Sequence, residues 1–267
     1  MKKAISVFCY SSGKKLNTKS LSSATFVIRM LSGGFCLAVL SKEGNVLYLN
    51  QYSVSPKLSI EGKMDAIEEA SQPFHFQCGK SVFQLYTVIN TQIPEEFYVE
   101  NLNQAVADLL VTCPKEYVPV GEKIANEPFY NLSLWNAILV KRLKEKFPHY
   151  ELKTTIGVLL GKIALRKPQE EVFVFVDDSN FTILAKNAKG LLGCNSFAFE
   201  TEADFLYYCL CFLRKFYQNI ETIPVIFCGN ITTQSPLFIS LQKYIAKAEL
   251  VEKDSVIANY HYFYDII

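Results

Sequence analysis

The 267-residue sequence predicts an α/β protein built from two similar halves. Each half reads as a three-stranded antiparallel meander followed by alternating helices and strands. Three observations support this. A triplet of short β-prone runs joined by turns occurs twice. Each triplet is followed by segments with helical spacing and by compact apolar runs of strand length. Apolar residues make up 50% of the chain and charged residues 20%, a composition that closes around a core rather than one that stays disordered.

The first twenty residues are rich in Ser and Lys and read as a lead-in. Their apolar stretch is too short for a signal-peptide core and lacks a small-residue cleavage site. Residues 26–31, 35–40 and 46–49 are the first three strands, separated by Ser32-Gly33-Gly34 and by the turn 42–45. An amphipathic run at 64–70 predicts a helix, and 82–88 predicts a strand. Pro94 opens a helical pattern over 95–110. Ser133 starts a helix that Pro148 stops after Phe147, and another helix is expected over 154–166. The polar stretch 167–171 is the best boundary in the chain. The organisation expected is therefore a lead-in (1–20), an N-terminal half with connecting helices (21–167) and a C-terminal half (168–267).

The second triplet comprises 172–176, 181–185 and 191–199, with turns at Asp177-Asp178-Ser179-Asn180 and at 187–190. Phe35 aligns with Phe181 and Gly44 with Gly190. Thr201 caps a helix running to about residue 219, with Asp204 as its capping-box acid. A buried-type strand at 224–228 and a helix at 237–248 complete the half. If the duplication holds, residues 24–52 and 172–199 superpose as meanders, each on one edge of a mixed sheet. Residues 205–213 are apolar around the whole helix. Such a helix is buried on all sides, or presents Tyr207, Tyr208 or Phe212 to a partner or a second copy.

Net charge is +1, which does not suggest nucleic-acid binding. No segment approaches the length of a membrane span, and a cytoplasmic protein is expected. The eight cysteines form no Cys-x-x-Cys pair and sit among apolar neighbours, so they read as reduced core thiols and not as metal ligands. His75, His149 and His261 have no metal spacing. Gly161-Lys162 lacks the glycine spacing and the hydroxyl of a phosphate loop. No Ser or Cys stands in the context of a catalytic nucleophile.

A meander followed by alternating helix and strand is the ribonuclease H-like plan. Two copies in one chain resemble the actin-like ATPase fold. Over most of its length the chain also resembles an uncharacterised bacterial family, domain of unknown function 3822. That resemblance is carried by residues 24–52, by 86–97 with its Ile93-Pro94-Glu95-Glu96-Phe97, and by 172–229. Membership implies no activity.

The resemblance implies a cleft between the halves in which each first hairpin turn would face nucleotide phosphates. The candidate cleft positions are Ser32, Gly33, Gly34, Asp177, Asp178, Ser179, Asn180, Gly229 and Asn230. The first turn has glycine and a hydroxyl, but the strand before it lacks the Asp that would hold Mg²⁺. The second turn has acids but no glycine. Gly229 stands where the family often has two glycines. Asp177 or Asp178 could pair with Mg²⁺, or the four residues could be an ordinary hairpin turn. Two acids facing phosphate without a held metal would repel it by about 4 kcal/mol for one pair at ~4 Å. On this reading Asp178→Gly would improve any residual nucleotide binding. The expectation is a non-catalytic protein that acts through an unknown protein partner or self-association, with no catalytic residue, metal or cofactor. The alternative is an ATPase or kinase-like enzyme that uses ATP and Mg²⁺ with atypical phosphate loops.

Overall fold

The computed structural model describes residues 4–13, 17–31, 33–55, 57–74, 77–112, 114–251, 263, 264 and 266. The first half contains β1 (Ala4–Ser11), α1 (Thr18–Leu21), β2 (Thr25–Leu31), β3 (Gly34–Leu40), β4 (Val46–Val54), α2 (Ile60–Ser71) and β5 (Lys80–Leu85). After these come β6 (Asn90–Pro94), α3 (Asn103–Leu110), β7 (Tyr117–Lys123) and β8 (Phe129–Asn136). Next are α4 (Ala137–Lys146), β9 (Glu151–Thr154) and α5 (Thr155–Ala164). The second half holds β10 (Glu171–Asp177), β11 (Asn180–Asn187), β12 (Gly190–Ala198), α6 (Glu202–Phe216), β13 (Val225–Gly229), α7 (Pro236–Gln242) and β14 (Ala248–Leu250).

Two sheets carry the same plan. The first runs β1-β4-β3-β2-β5-β9 and the second β12-β11-β10-β13-β14. In each, an antiparallel meander is followed by two strands that add in parallel. Both meanders are present at the predicted positions. The second lies at its sheet edge, whereas the first is flanked by β1, which pairs antiparallel with β4. The expected lead-in therefore differs from what is observed. Its alternating Ile5, Val7 and Cys9 pattern was too short to stand out without the partner strand.

One face of the first sheet packs Phe26, Ile28 and Phe83 against Ile67 of α2 and Leu143 of α4. The corresponding face of the second packs Val174, Phe181 and Phe227 against Phe205 of α6 and Phe238 of α7. The opposite face of the second sheet, through Phe173, Phe175 and Leu184, meets Ile156, Leu159 and Leu160 of α5. The opposite face of the first sheet, with Val27, Cys36, Ala38 and Leu49, is covered by Phe263 and Ile266 from the C-terminus. Phe263 and Tyr264 thus serve as anchors outside any strand; His261 and His75 lie outside the described residues.

Between the two meanders stands a third sheet, β6-β8-β7, which sequence periodicity did not reveal. The run expected as one strand over 82–88 ends at Leu85, and the chain turns before β6. The expected helix over 95–110 is two 3₁₀ turns, Glu95–Phe97 and Glu100–Leu102, leading into α3. The segment bends because Tyr98 stacks on Tyr130 of β8 at 3.7 Å and receives a hydrogen bond from Asn103. Residues 133–136 belong to β8, and Asn136, not Ser133, caps α4 by accepting from the Leu139 N–H. The later cap won because Asn131 and Ser133 are buried and hydrogen-bonded to each other within the sheet.

The capping box on α6 is formed as expected. Thr201 Oγ1 accepts from the Asp204 N–H at 3.2 Å, and the Asp204 carboxylate accepts from the Thr201 N–H at 2.9 Å. The helix ends at Phe216, and the last expected helix is shortened to α7. Helix α6 is buried along Phe205, Cys209, Phe212 and Leu213 but leaves Tyr207 exposed. Among the described cysteines, Cys36, Cys209 and Cys228 are core thiols, while Cys9 and Cys211 are exposed. Those two depart from the expected burial because each sits on the outward face of a peripheral element. Among the described residues no cluster of His, Cys, Asp or Glu could hold a metal, and no helix is long and apolar enough to cross a membrane.

Candidate functional site

The two halves bring most of the candidate cleft residues to one place. Strand β10 ends in Asp177, which is buried and pairs with Asn180 across a two-residue turn. Asp178 takes a left-handed φ of 46°, which short polar side chains tolerate better than others. The Asp178 carboxylate accepts a hydrogen bond from Asn230 Nδ2 at 2.8 Å, and the Asn230 N–H donates to Val176 O at 2.7 Å. Gly229 and Asn230 therefore buttress the Asp177-Asp178 turn directly. Ser179 holds the other end of the meander through its carbonyl, which accepts from the Phe199 N–H at 2.9 Å.

The first turn approaches from the other half. A Cβ built on Gly33 would lie 3.7 Å from Asp178 Oδ2, so the two hairpins stand within one side chain of each other. Gly34 is locked into the first sheet, where a Cβ would meet Tyr52 O at 1.9 Å. Ser32 lies outside the described residues. Beside the turns is a cavity of about 330 Å³ lined by Met30, Tyr86, Leu139, Asp177 and Asn180, among others. None of its described lining residues is cationic.

Tyr86 is the residue at this junction that sequence reasoning did not single out. Its ring meets Phe175 edge-on at 5.4 Å, and its hydroxyl is 3.1 Å from Thr182 Oγ1. Burial, with the nearby Asp177 charge, pushes the phenol well above its ordinary pKa. The hydroxyl begins a chain of polar contacts. Thr182 meets Ser196 at 2.7 Å, and Asn90 donates to Ser196 at 2.9 Å. Gln92 donates to both Asn90 and Asn131, and Asn131 donates to Thr154 Oγ1 at 3.4 Å. Thr154 donates to Glu122 at 3.0 Å. The chain links the end of β5, the second meander, the third sheet and the cap of α5. A buried network of this kind holds its elements in one arrangement when every member is satisfied. The visible signal in the sequence was the density of amide side chains in Asn90-Thr91-Gln92 and Asn131.

Glu122 ends the chain over the first turn of α5. A Cβ on Gly157 would crowd Glu122 Oε2 and Thr154 Oγ1, so a larger residue there would push the carboxylate from its present place. Burial raises the Glu122 pKa against the hydrogen bonds from Thr154 and the charge of Lys153, while Glu151 adds to the rise. The folded state thus favours the protonated acid. The associated stability is present below the unfolded pKa and is lost as pH rises through the folded pKa. Glu122→Gln should raise the melting temperature near pH 8 and leave it unchanged near pH 4; thermal melts of both proteins at the two pH values check this.

The same architecture occurs in known proteins. The sequence profile of the family described as "Protein of unknown function (DUF3822)" matches residues 13–248. The chain belongs to that family. Among solved structures, a Bacteroides thetaiotaomicron protein with actin-like ATPase fold and unknown function superposes with a TM-score of 0.77 at 16% identity. The match covers 89% of this chain and 94% of that one. The PilM–PilN type IV pilus biogenesis complex matches with a TM-score of 0.59 at 11% identity, over 85% of this chain and 88% of the other. No curated protein matches the sequence. The fold is therefore a duplicated ribonuclease H-like, actin-like ATPase fold, in a family whose function is unknown.

Proposed function

We propose that this protein is a non-catalytic member of the actin-like fold that works by binding another protein. The observation that carries the reading is the approach of the two hairpins, with Gly33 against the Asp178 carboxylate. An active member needs that space for phosphate. Here the Asp178 carboxylate, bonded to Asn230, lies against the Gly33 turn, and the neighbouring cavity is lined by Met30, Leu139 and Tyr86 together with Asp177 and Asn180. The residues present do not form a nucleotide cradle. Phosphates require converging backbone N–H groups or cations, and none of the described residues lining the cavity is cationic. Packing explains the poor fit better than the simple repulsion between acid and phosphate. The network from Tyr86 to Glu122 also ties the halves together, which suits a rigid binding surface rather than a cleft that opens for substrate. The PilM–PilN complex supports the reading in one respect: a protein of this fold forms part of a two-protein assembly there.

Thermal melts with Mg·ATP provide the test. A ligand at a hundredfold excess over its dissociation constant stabilises by about 2.7 kcal/mol. No shift is expected for the parent protein, and Asp178→Gly, which removes both the charge and the carboxylate beside Gly33, is the variant in which any residual nucleotide binding would show. A stabilisation of the parent that Asp177→Ala abolishes would establish the ATPase-like alternative instead.

A further inference from the structure

A groove of about 820 Å³ runs between β12, α6 and the third sheet. Strand β12 is the last strand of its sheet, with β11 on one side and no strand paired to its other edge among the described residues, although β6 approaches it where Asn90 donates to Ser196. Side chains alternate between the faces of a strand, so a cavity lying on one face touches every second residue. This groove is lined by residues 191–195 in unbroken succession. It therefore views β12 from its edge, where main-chain N–H and C=O groups point away from β11.

Natural sheets blunt such edges with charge or proline. The edge strand β9 carries Glu151 and Lys153, and β7 carries Pro119, Glu122 and Lys123. Like the edge strand β1, strand β12 has neither and reads Gly-Leu-Leu-Gly-Cys-Asn-Ser-Phe-Ala, but of the two only β12 borders this groove. Its one irregularity is an extra residue, Leu192, between Leu191 opposite Lys186 and Gly193 opposite Ala185. The regular open stretch is therefore short, and affinity must also come from side-chain pockets. The other walls supply them through Phe129, Tyr208 and Phe212. Lys215 is the one charged side chain among the lining residues, and no acid faces it there.

We propose that this edge is a docking site for an extended, largely apolar segment of a partner protein. The segment adds to β12 as a further strand and sets a carboxylate against Lys215. The inference rests on the protein-binding reading above and gives it a surface and a partner chemistry. Strand addition draws affinity from main-chain hydrogen bonds and specificity from pockets for alternate side chains. This edge has no paired strand among the described residues, and apolar side chains line the groove beside it.

The test is selection of short random peptides displayed against the whole protein, followed by fluorescence anisotropy and hydrogen exchange on the peptides recovered. Enriched peptides should alternate apolar residues, carry an acid and slow amide exchange within 191–195. Cys211→Trp, on the exposed face of α6 that lines the groove, should abolish binding. Lys215→Glu should weaken it by about tenfold. Circular dichroism melts confirm that both variants fold. The proposal is overturned if no peptide is enriched, if protection falls elsewhere, or if Cys211→Trp binds as the parent does. Concentration-dependent dimerisation that Cys211→Trp removes, without peptide binding, would replace the partner with a second copy. The two readings fail separately. Stabilisation by Mg·ATP overturns the non-catalytic reading while peptide protection of 191–195 stands, and absence of both overturns only the docking site.

Discussion

Glu171→Ala is expected to lower the stability of the protein by about 3–5 kcal/mol, the range for breaking a buried ion pair from one side. Glu171 opens β10 and is fully buried. Its carboxylate meets Arg166 through two nitrogens at 3.2 and 3.3 Å, Gln169 at 3.0 Å and Lys186 at 3.0 Å. Alanine would leave Lys186 buried without its counter-charge. The carbonyls of Ile163 and Lys167, at 3.1 and 3.0 Å, would retain part of the ammonium's hydrogen bonding, so the lower end of the range is the better expectation. Burial alone would raise the Glu171 pKa, but the hydrogen bonds from Arg166, Gln169 and Lys186 outweigh it and hold the carboxyl below its ordinary value. The sign follows from that depression. The contribution is present above the unfolded pKa and is lost as pH falls through the folded pKa. Urea unfolding of parent and variant should differ most near neutral pH, and the gap should narrow below about pH 4.

The same residue shows why part of the fold was legible in the sequence and part was not. The two meanders could be read because each strand is apolar and each turn carries residues that favour turns. Gly44 and Gly190, aligned from sequence alone, both take positive φ, at 82° and 126°. That signal is local. Glu171 sits in a run of charge that reads as solvated, and its burial depends on Lys186, fifteen positions later and on the next strand. The third sheet failed to show for the same reason. Its strands hold Asn90 and Asn131, which reach Ser196 and Thr154 in other elements, and Gln92, which bonds Asn90 and Asn131 within the sheet itself. Polar residues in a strand look like loop until the contacts that satisfy them are known. Of the candidate cleft, the sequence could supply the membership of both hairpins but not their separation. Whether Gly33 faces phosphate or the Asp178 carboxylate is set by how the halves close, through Tyr86 and Thr182, and no local pattern encodes that.

Gly229→Ala is expected to destabilise the protein by about 2–5 kcal/mol, combining a left-handed backbone penalty with overpacking. Gly229 has φ of 89°, a conformation in which a Cβ is strained, and that Cβ would meet Val176 O at 2.2 Å and Val176 N at 2.9 Å. Neither atom can move without disturbing the central strand β10, which pairs Val176 with Gly229 directly. A glycine at a strand end can serve to let a ligand approach the backbone closely. In this chain the close neighbour is the backbone of β10, so the sheet itself requires the glycine. The two roles predict different outcomes. A glycine kept for ligand approach would, on substitution, lose nucleotide binding and little stability. A glycine kept for strand contact loses stability whether or not nucleotide is present. Chemical unfolding of Gly229→Ala with and without Mg·ATP separates them, and the expected result is the same large loss in both. The next residue is a control, because Asn230→Ala removes only the hydrogen bond to the Asp178 carboxylate. Asp178 would keep its exposure to water, so that loss should be about 0.5–1.5 kcal/mol. A Gly229→Ala protein as stable as the Asn230→Ala protein would show that β10 can yield at Val176, and the hairpins could then separate enough to admit a ligand.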